Sequence, residues 1–311
     1  MLFIASQYIE QMTSTQHPNA ARLMRWATYA SVTTALTLIV IKIAAWFITD
    51  SVSILATLID SSLDVLASIV NLVAVRHALQ PADHEHRFGH GKAEALAGMG
   101  QSMFIAGSAG LLLLQAISRM INPQEMTAGI EVGIAVMVFS MVATLALITY
   151  QQYVIKHTNS TAIKADRLHY KTDLLVNASV IIALLLTFYG WSGFDAVFAL
   201  GIAIFILYSA WEIVKESIDL LMDHELPDEQ REKIRNVALQ HPETQGLHDL
   251  RTRRSGTMIF IQFHLELDSS LSLYAAHNIA EQVEHDLASL FTEVEIIIHE
   301  DPVIVASLLT K

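Results

Sequence analysis

Ser51-Val-Ser-Ile-Leu-Ala-Thr-Leu-Ile-Asp60-Ser-Ser-Leu-Asp64-Val-Leu-Ala-Ser-Ile-Val-Asn-Leu-Val-Ala-Val-Arg76-His-Ala-Leu79 is an apolar run broken by two acids. It exceeds the roughly 20 helical residues that cross a hydrocarbon core of about 30 Å. Asp60 and Asp64 stand four apart, so on a helix both carboxylates project from one face. A charge at the centre of a membrane helix is disfavoured by about 2.5–3.5 kcal/mol, and one kept there marks an ion path or a paired site. The stretch reads as a membrane helix that carries a functional pair.

Outward from it, five more segments have the length and character of spans: Trp26 to Thr49, Ala95 to Ile121, Glu131 to Tyr153, Leu174 to Phe188 with a polar N-terminal extension, and Phe194 to Leu221. Over 311 residues the chain is 53% hydrophobic and only 16% charged, too apolar for an ordinary soluble domain. The connections alternate in charge. Thr49-Asp50-Ser51, Asn122-Pro-Gln-Glu125 and Tyr189-Gly-Trp-Ser-Gly193 carry no Lys or Arg, whereas Arg22, Arg25, Arg76, Arg87, Lys92, Lys156, Lys164 and Arg167 flank the other ends. Positive charge stays on the cytoplasmic side, which predicts both termini inside. The opening Met1-Leu-Phe-Ile-Ala5 lacks the basic start of a secretory signal, so no cleaved peptide is expected.

The pattern changes near residue 226, which divides the chain into a membrane domain, 1–225, and a cytoplasmic domain, 226–311. Asp223 to Lys311 holds sixteen acids and seven bases, a net of −9 out of −12 for the whole chain. So acidic a domain repels phosphates, which excludes nucleic acid as a partner. A helix begins at Pro227, where Asp228 and Glu229 suit the first turn. A hairpin follows, Asp249 to Arg254 and Met258 to Asp268 about Ser255-Gly256, with Ile259, Ile261, Phe263, Leu265 and Leu267 alternating onto one buried face. Ala276, Ile279, Ala280, Val283, Leu287 and Leu290 lie at helical spacing, and Val294, Ile296 and Ile298 at strand spacing. The order α-β-β-α-β predicts a small α+β domain.

No cysteine is present, so disulfides and thiolate sites are excluded and any metal is held by nitrogen and oxygen. His169 and Asp173, four apart at the start of the fifth span, repeat the geometry of Asp60 and Asp64. Three carboxylates and one imidazole on two helix faces suit a four-coordinate cation such as zinc, whose charge also relieves their repulsion. The plain alternative makes each pair a boundary residue plus a hydrogen-bonded core polar group, and it weakens because the pairs occur together. Asp83, His86 and His90 form a second set in a loop where His84 or Glu85 could substitute. The third set lies in the tail, where His248 precedes the hairpin, His264 shares a polar strand face with Gln262 and Glu266, His299 and Asp301 end the last strand, and His277 joins from the second helix. These fit a binuclear site bridged by Asp301, with ordinary surface histidines as the alternative. Lys42, Asp195, Glu212 and Asp219 each stand alone in or near spans, so the spacing assigns them no ligand role.

These residues together resemble the cation diffusion facilitator family, in its bacterial zinc/proton antiporter form. The likeness covers nearly the whole chain and rests on Asp60-x-x-x-Asp64, Phe88-Gly-His-Gly-Lys-Ala-Glu94, His169-x-x-x-Asp173, six spans, and the ending Ile298-His-Glu-Asp-Pro302. The resemblance implies an α-helical membrane protein of six transmembrane helices with an αββαβ, metallochaperone-like (ferredoxin-like) cytoplasmic domain. It also implies a homodimer joined through those domains in a bacterial inner membrane, with protons as counter-ion. It assigns Asp60, Asp64, His169 and Asp173 to transport and Asp83, His86 and His90 to a loop site. In the tail it gives one ion His248, His264 and Asp301 and a second His277, His299 and the same Asp301. Lys92 and Asp223 become candidates for a salt bridge where the two parts meet.

An intramembrane metalloenzyme is the rival class. None of the His-Glu dipeptides at His84, His224 and His299 is followed by His at metalloprotease spacing, and four protein ligands leave no open position for hydrolysis. A membrane-anchored metal sensor needs one span rather than six, and a closed, fully liganded site favours a carrier over a channel. The cargo is expected to be Zn2+, with Cd2+, Fe2+ and Mn2+ also suited to histidine and carboxylate.

Overall fold

The structure is a computed structural model that describes residues 18–49, 52–121, 130–188 and 194–303. Six long helices come first: α1 (Pro18–Thr49), α2 (Val52–Ala78), α3 (Lys92–Ile121), α4 (Ile130–Thr158), α5 (Thr161–Phe188) and α6 (Phe194–Leu221). Among the described residues four stretches are long and apolar enough to cross a membrane: Asn19–Ile48, Lys92–Leu114, Ala135–Thr158 and Val197–Leu221. The other two helices, α2 and α5, carry the acid pairs. α5 runs from Thr161, so the polar extension before Leu174 is continuous helix, and α1 and α4 overrun their expected ends at Trp26 and Tyr153.

Many large apolar side chains of these helices face outward, and small ones lie at the contacts between helices beside buried Met24, Ile105, Ile163 and Ile206. Ala27, Ala35, Ala162, Ala165, Ala203 and Ala210 are buried, while Val40, Phe47, Leu111 and Trp211 are 63%, 76%, 71% and 65% exposed. An apolar exterior with small residues at helix contacts is the arrangement of a bundle solvated by lipid.

The tail follows as α7 (Asp228–Ala238), β1 (Gly246–Ser255), β2 (Met258–Asp268), α8 (Leu273–Ala288) and β3 (Val294–Val303). The sheet order is β1-β2-β3, with β1 and β2 antiparallel and β2 and β3 parallel. A parallel pair needs a crossover, which α8 supplies after the Ser272 hydroxyl caps it by accepting from the Ala275 N–H. Ile261, Phe263 and Leu265 of β2 are buried with Ile234 of α7 and Val283 and Leu287 of α8. Each such side chain contributes about 1.5–3 kcal/mol of burial, so both helices sit on the Ile/Phe/Leu face and leave the histidine face open.

By its contacts the chain divides into two compact units. One comprises Asn19–Gln80 and Lys92–Ile218; the other joins Pro81–Gly91 to the chain from Asp219 onward. The 81–91 loop belongs with the tail because it packs there. Phe88 stacks edge-on against Phe260 with ring centroids 5.8 Å apart, and the Arg253 guanidinium lies 4.8 Å and 4.5 Å from those two rings. A Cβ at Gly91 would overlap the Ser255 carbonyl, so only glycine permits this approach. Hydropathy sees none of these contacts, which explains the expected boundary.

Candidate functional site

In the membrane unit, α2 and α5 bring Asp64, His169 and Asp173 together. One ligand atom from each lies within 4.8 Å of the others. Nε2 of His169 is 3.0 Å from Oδ1 of Asp64 and 4.0 Å from Oδ2 of Asp173. Tetrahedral zinc, with bonds of about 2.0–2.1 Å, separates its ligand atoms by about 3.3 Å, so these side chains need only small adjustments to hold such an ion. Asp60 lies on α2 one turn before Asp64, but its side chain is outside the described residues. The cluster faces a cavity of about 270 Å3 that Lys42, Ser61 and Tyr170 also line. Lys42 and Ser61 were invisible to spacing because they come from different helices.

A buried polar network supports this site on its α5 side. Asp166, 0% exposed, accepts from Ser31 Oγ on α1 at 2.5 Å, Gln151 Nε2 on α4 at 2.7 Å and Gln101 Nε2 on α3 at 3.2 Å. The Tyr170 hydroxyl donates to the Ser31 carbonyl at 3.1 Å and lies 2.8 Å from Ser68 Oγ on α2. Hydrogen bonds that converge on one buried carboxylate from three other helices favour one packing of those helices, although the Gln101 and Gln151 carboxamide oxygens have no hydrogen-bond partner among the described residues, and they hold the rotation of α5 that presents His169 and Asp173.

The loop folds around Asp83, whose carboxylate accepts from the N–H groups of His86 at 2.6 Å and Glu85 at 2.9 Å. The bond from His86 does most to hold this carboxyl below its usual range. Asp83 lies 3.4 Å from His86 Nδ1 and 3.4 Å from His90 Nε2. All three meet in one cluster, and Gly89, at φ 76°, makes the turn that returns His90 to it.

On the tail, sheet register builds the third cluster. His248 pairs with His264 across β1 and β2, and His264 pairs with His299 across β2 and β3. Three imidazoles thus form one row, with ring centroids 4.9 Å and 4.6 Å apart. Asp301, two residues beyond His299 and so on the same face, turns Oδ2 to His264 Nδ1 at 2.9 Å and His248 Nε2 at 3.3 Å. Its Oδ1 lies 3.2 Å from His299 Nε2. A carboxylate with its oxygens toward different imidazoles has the form of a bridge. The hydrogen bond with His264 does most to hold the Asp301 carboxyl below its usual range.

His277 is not brought into that row. It lies on α8 with Nε2 3.3 Å from Glu281 and Nδ1 3.9 Å from Glu300. Two carboxylates do join the row's surroundings: Glu266, 2.9 Å from His248 Nδ1, and Asp249, 3.9 Å from His264 Nε2. Asp249 sits at φ 49° in the irregularity between His248 and Arg251; the register shift brings it there, which no spacing rule reveals. Asp223 lies 3.4 Å from Arg253 within the tail unit, while Lys92 opens α3 of the membrane unit.

Comparison with known proteins divides the chain near residue 225, with the 81–91 loop inside the transmembrane match. The cation efflux transmembrane domain matches residues 28–222, and the cation efflux protein cytoplasmic domain matches residues 226–303. Among curated proteins, the cation-efflux pump FieF of Klebsiella pneumoniae is 49% identical over 281 residues, 90% of this chain and 93% of that protein. The protein of the same name from Cronobacter sakazakii is 50% identical over the same shares of each chain, and that of Pectobacterium atrosepticum 48% identical over 92% of this chain and 95% of its own. With both domain models and full-length relatives in agreement, the chain belongs to the cation efflux (cation diffusion facilitator) family, and is a membrane transporter of divalent metals rather than an enzyme.

Proposed function

We propose that this protein exports zinc in exchange for protons by alternating access, with cadmium and iron(II) as further cargo. The transport ligands are Asp60, Asp64, His169 and Asp173. The observation that carries this reading is the cluster of Asp64, His169 and Asp173, from α2 and α5, facing one cavity that α1, α3 and α4 also line. Nitrogen and oxygen donors without thiolate suit a borderline cation that must also leave. Metal needs these ligands deprotonated, so a proton arriving from the outer side competes with the cargo and favours its release. Rocking of the helix pair that carries the site would expose it to each side in turn.

The tail and loop sites fit resident zinc. His248, His264 and Asp301 would hold one ion, His299 and the other Asp301 oxygen a second, and Asp83, His86 and His90 a third. His277 reaches the second ion only by leaving Glu281. Bound zinc would cross-link β1, β2 and β3. The tail domains would join two copies into a homodimer in a bacterial inner membrane, both termini inside.

The test is uptake of zinc, cadmium, iron(II) and manganese by reconstituted vesicles under a pH gradient. Gradient-driven zinc flux that disappears in Asp64→Ala is expected. Flux that survives the substitution, or that ignores the gradient, rejects the site or the coupling respectively.

A further inference from the structure

Lys42 is a cation on the wall of a cavity built for cations. Its helix, α1, spans the membrane over Asn19–Ile48, and a lysine near the end of such a span ordinarily snorkels its ammonium to the headgroups. Here the ammonium turns inward. Nζ donates to Ser61 Oγ at 2.6 Å, and Ser61 is 1% exposed. Both residues line the cavity that Asp64, His169 and Asp173 face.

Ser61 occupies a telling place on α2. It follows Asp60 directly and precedes Asp64 by three, and residues three apart share a helix face. The Ser61 hydroxyl therefore anchors the ammonium beside the segment that bears both acids. An isolated charge within a span is costly, whereas one set among carboxylates is offset by them.

We propose that Lys42 is the standing counter-cation of the transport cavity and sets how tightly that cavity holds a divalent ion. This rests on the assignment of Asp64, His169 and Asp173 to transport. With no cargo bound, the ammonium balances carboxylate charge. With cargo bound, it repels an ion of its own sign across a poorly screened cavity and so favours release. Its four-carbon stem lets it withdraw without moving a helix. A carrier must bind, release and return empty, and a tethered cation assists the last two at the expense of the first.

Zinc flux through the full chain in vesicles, measured against zinc concentration, tests the proposal. Lys42→Gln keeps a donor for Ser61 and removes the charge. It should lower the half-saturating zinc concentration on the order of tenfold, equivalent to about 1.4 kcal/mol, and lower the maximal rate. Lys42→Arg should keep both near wild type. Equilibrium zinc binding, counted as the portion that Asp64→Ala removes, should tighten in parallel in the Gln variant. Lys42→Met, equally neutral, serves if the Gln variant does not assemble. Unchanged or weaker zinc affinity in the neutral variants overturns the proposal, as does an Arg variant that behaves like Gln. Wild-type flux insensitive to Asp64→Ala would instead refute the transport-site assignment, so the two failures are distinguishable.

Discussion

The membrane cluster and the tail cluster use the same two kinds of ligand, imidazole and carboxylate, under opposite conditions. His169 is 8% exposed and sits between helices whose positions a buried network controls. The tail histidines stand on an open sheet face, with the side chains of His248 and His299 50% and 67% exposed. In the membrane His169 and Asp173 come from one helix turn, and Asp64 meets them only as α2 and α5 are held. On the tail, three strands in fixed register make the row. A site shared between two helices opens if they part, whereas one stitched across a single sheet opens only if strand pairing breaks. The comparison teaches that geometry separates the two clusters where donor chemistry does not.

The largest expected effect tests that separation directly. Asp64→Ala should lower zinc flux by more than about 100-fold, beyond the 10–100-fold typical for losing an outer-shell partner of a metal, whereas Asp301→Ala should lower it less than about tenfold. Equal losses, in reconstituted vesicles, would break the distinction. Chelation comes next. Stripping metal should lower the thermal midpoint of the tail transition in the full chain, and restoring zinc to 100 times its dissociation constant should recover about 2.7 kcal/mol. Asp301→Ala should abolish that response, and a midpoint indifferent to zinc would remove the resident role.

Gly91→Ala sharpens the place of the loop. Overlap with the Ser255 carbonyl should cost about 1–3 kcal/mol of loop seating, read as faster proteolysis at 81–91, with the membrane cluster's metal affinity unchanged. Altered affinity there would show that the two clusters are not independent.

The smallest effect separates turn chemistry from metal chemistry in the tail. Ser270 N–H donates to Asp268 at 2.7 Å and holds its carboxyl below the ordinary 3.8. A carboxyl depressed in the folded state contributes stability that is present above 3.8 and lost as pH falls through its folded value. Asp268→Asn should therefore flatten the acid limb of metal-free tail stability slightly, as read from thermal midpoints over a descending pH series. An unchanged limb would place the acid sensitivity elsewhere.

Much of this was legible along the chain because it is local. Asp60-x-x-x-Asp64 and His169-x-x-x-Asp173 announce shared helix faces, and Ile259 through Leu267 announce a strand buried on one side. The αββαβ order followed from such periodicities. What escaped was whatever depends on contacts between distant segments. Lys42 stands alone in α1 and gains meaning only when Ser61 receives it. Asp249 enters the tail site through a register shift, and while Glu281, four residues on, shares the helix face of His277, nothing along the chain signals that Glu300 of β3 is its neighbour.

The amino-acid sequence by itself determined the membrane class, the helices, the acidic α+β tail and the ligand types, since length, periodicity and charge are properties of neighbouring residues. Only the tertiary structure decided that the 81–91 loop packs with the tail, that three histidines align across three strands, and that a lysine shares the cavity of Asp64, His169 and Asp173. Those outcomes depend on interhelical packing and strand register, which join residues that the chain keeps far apart.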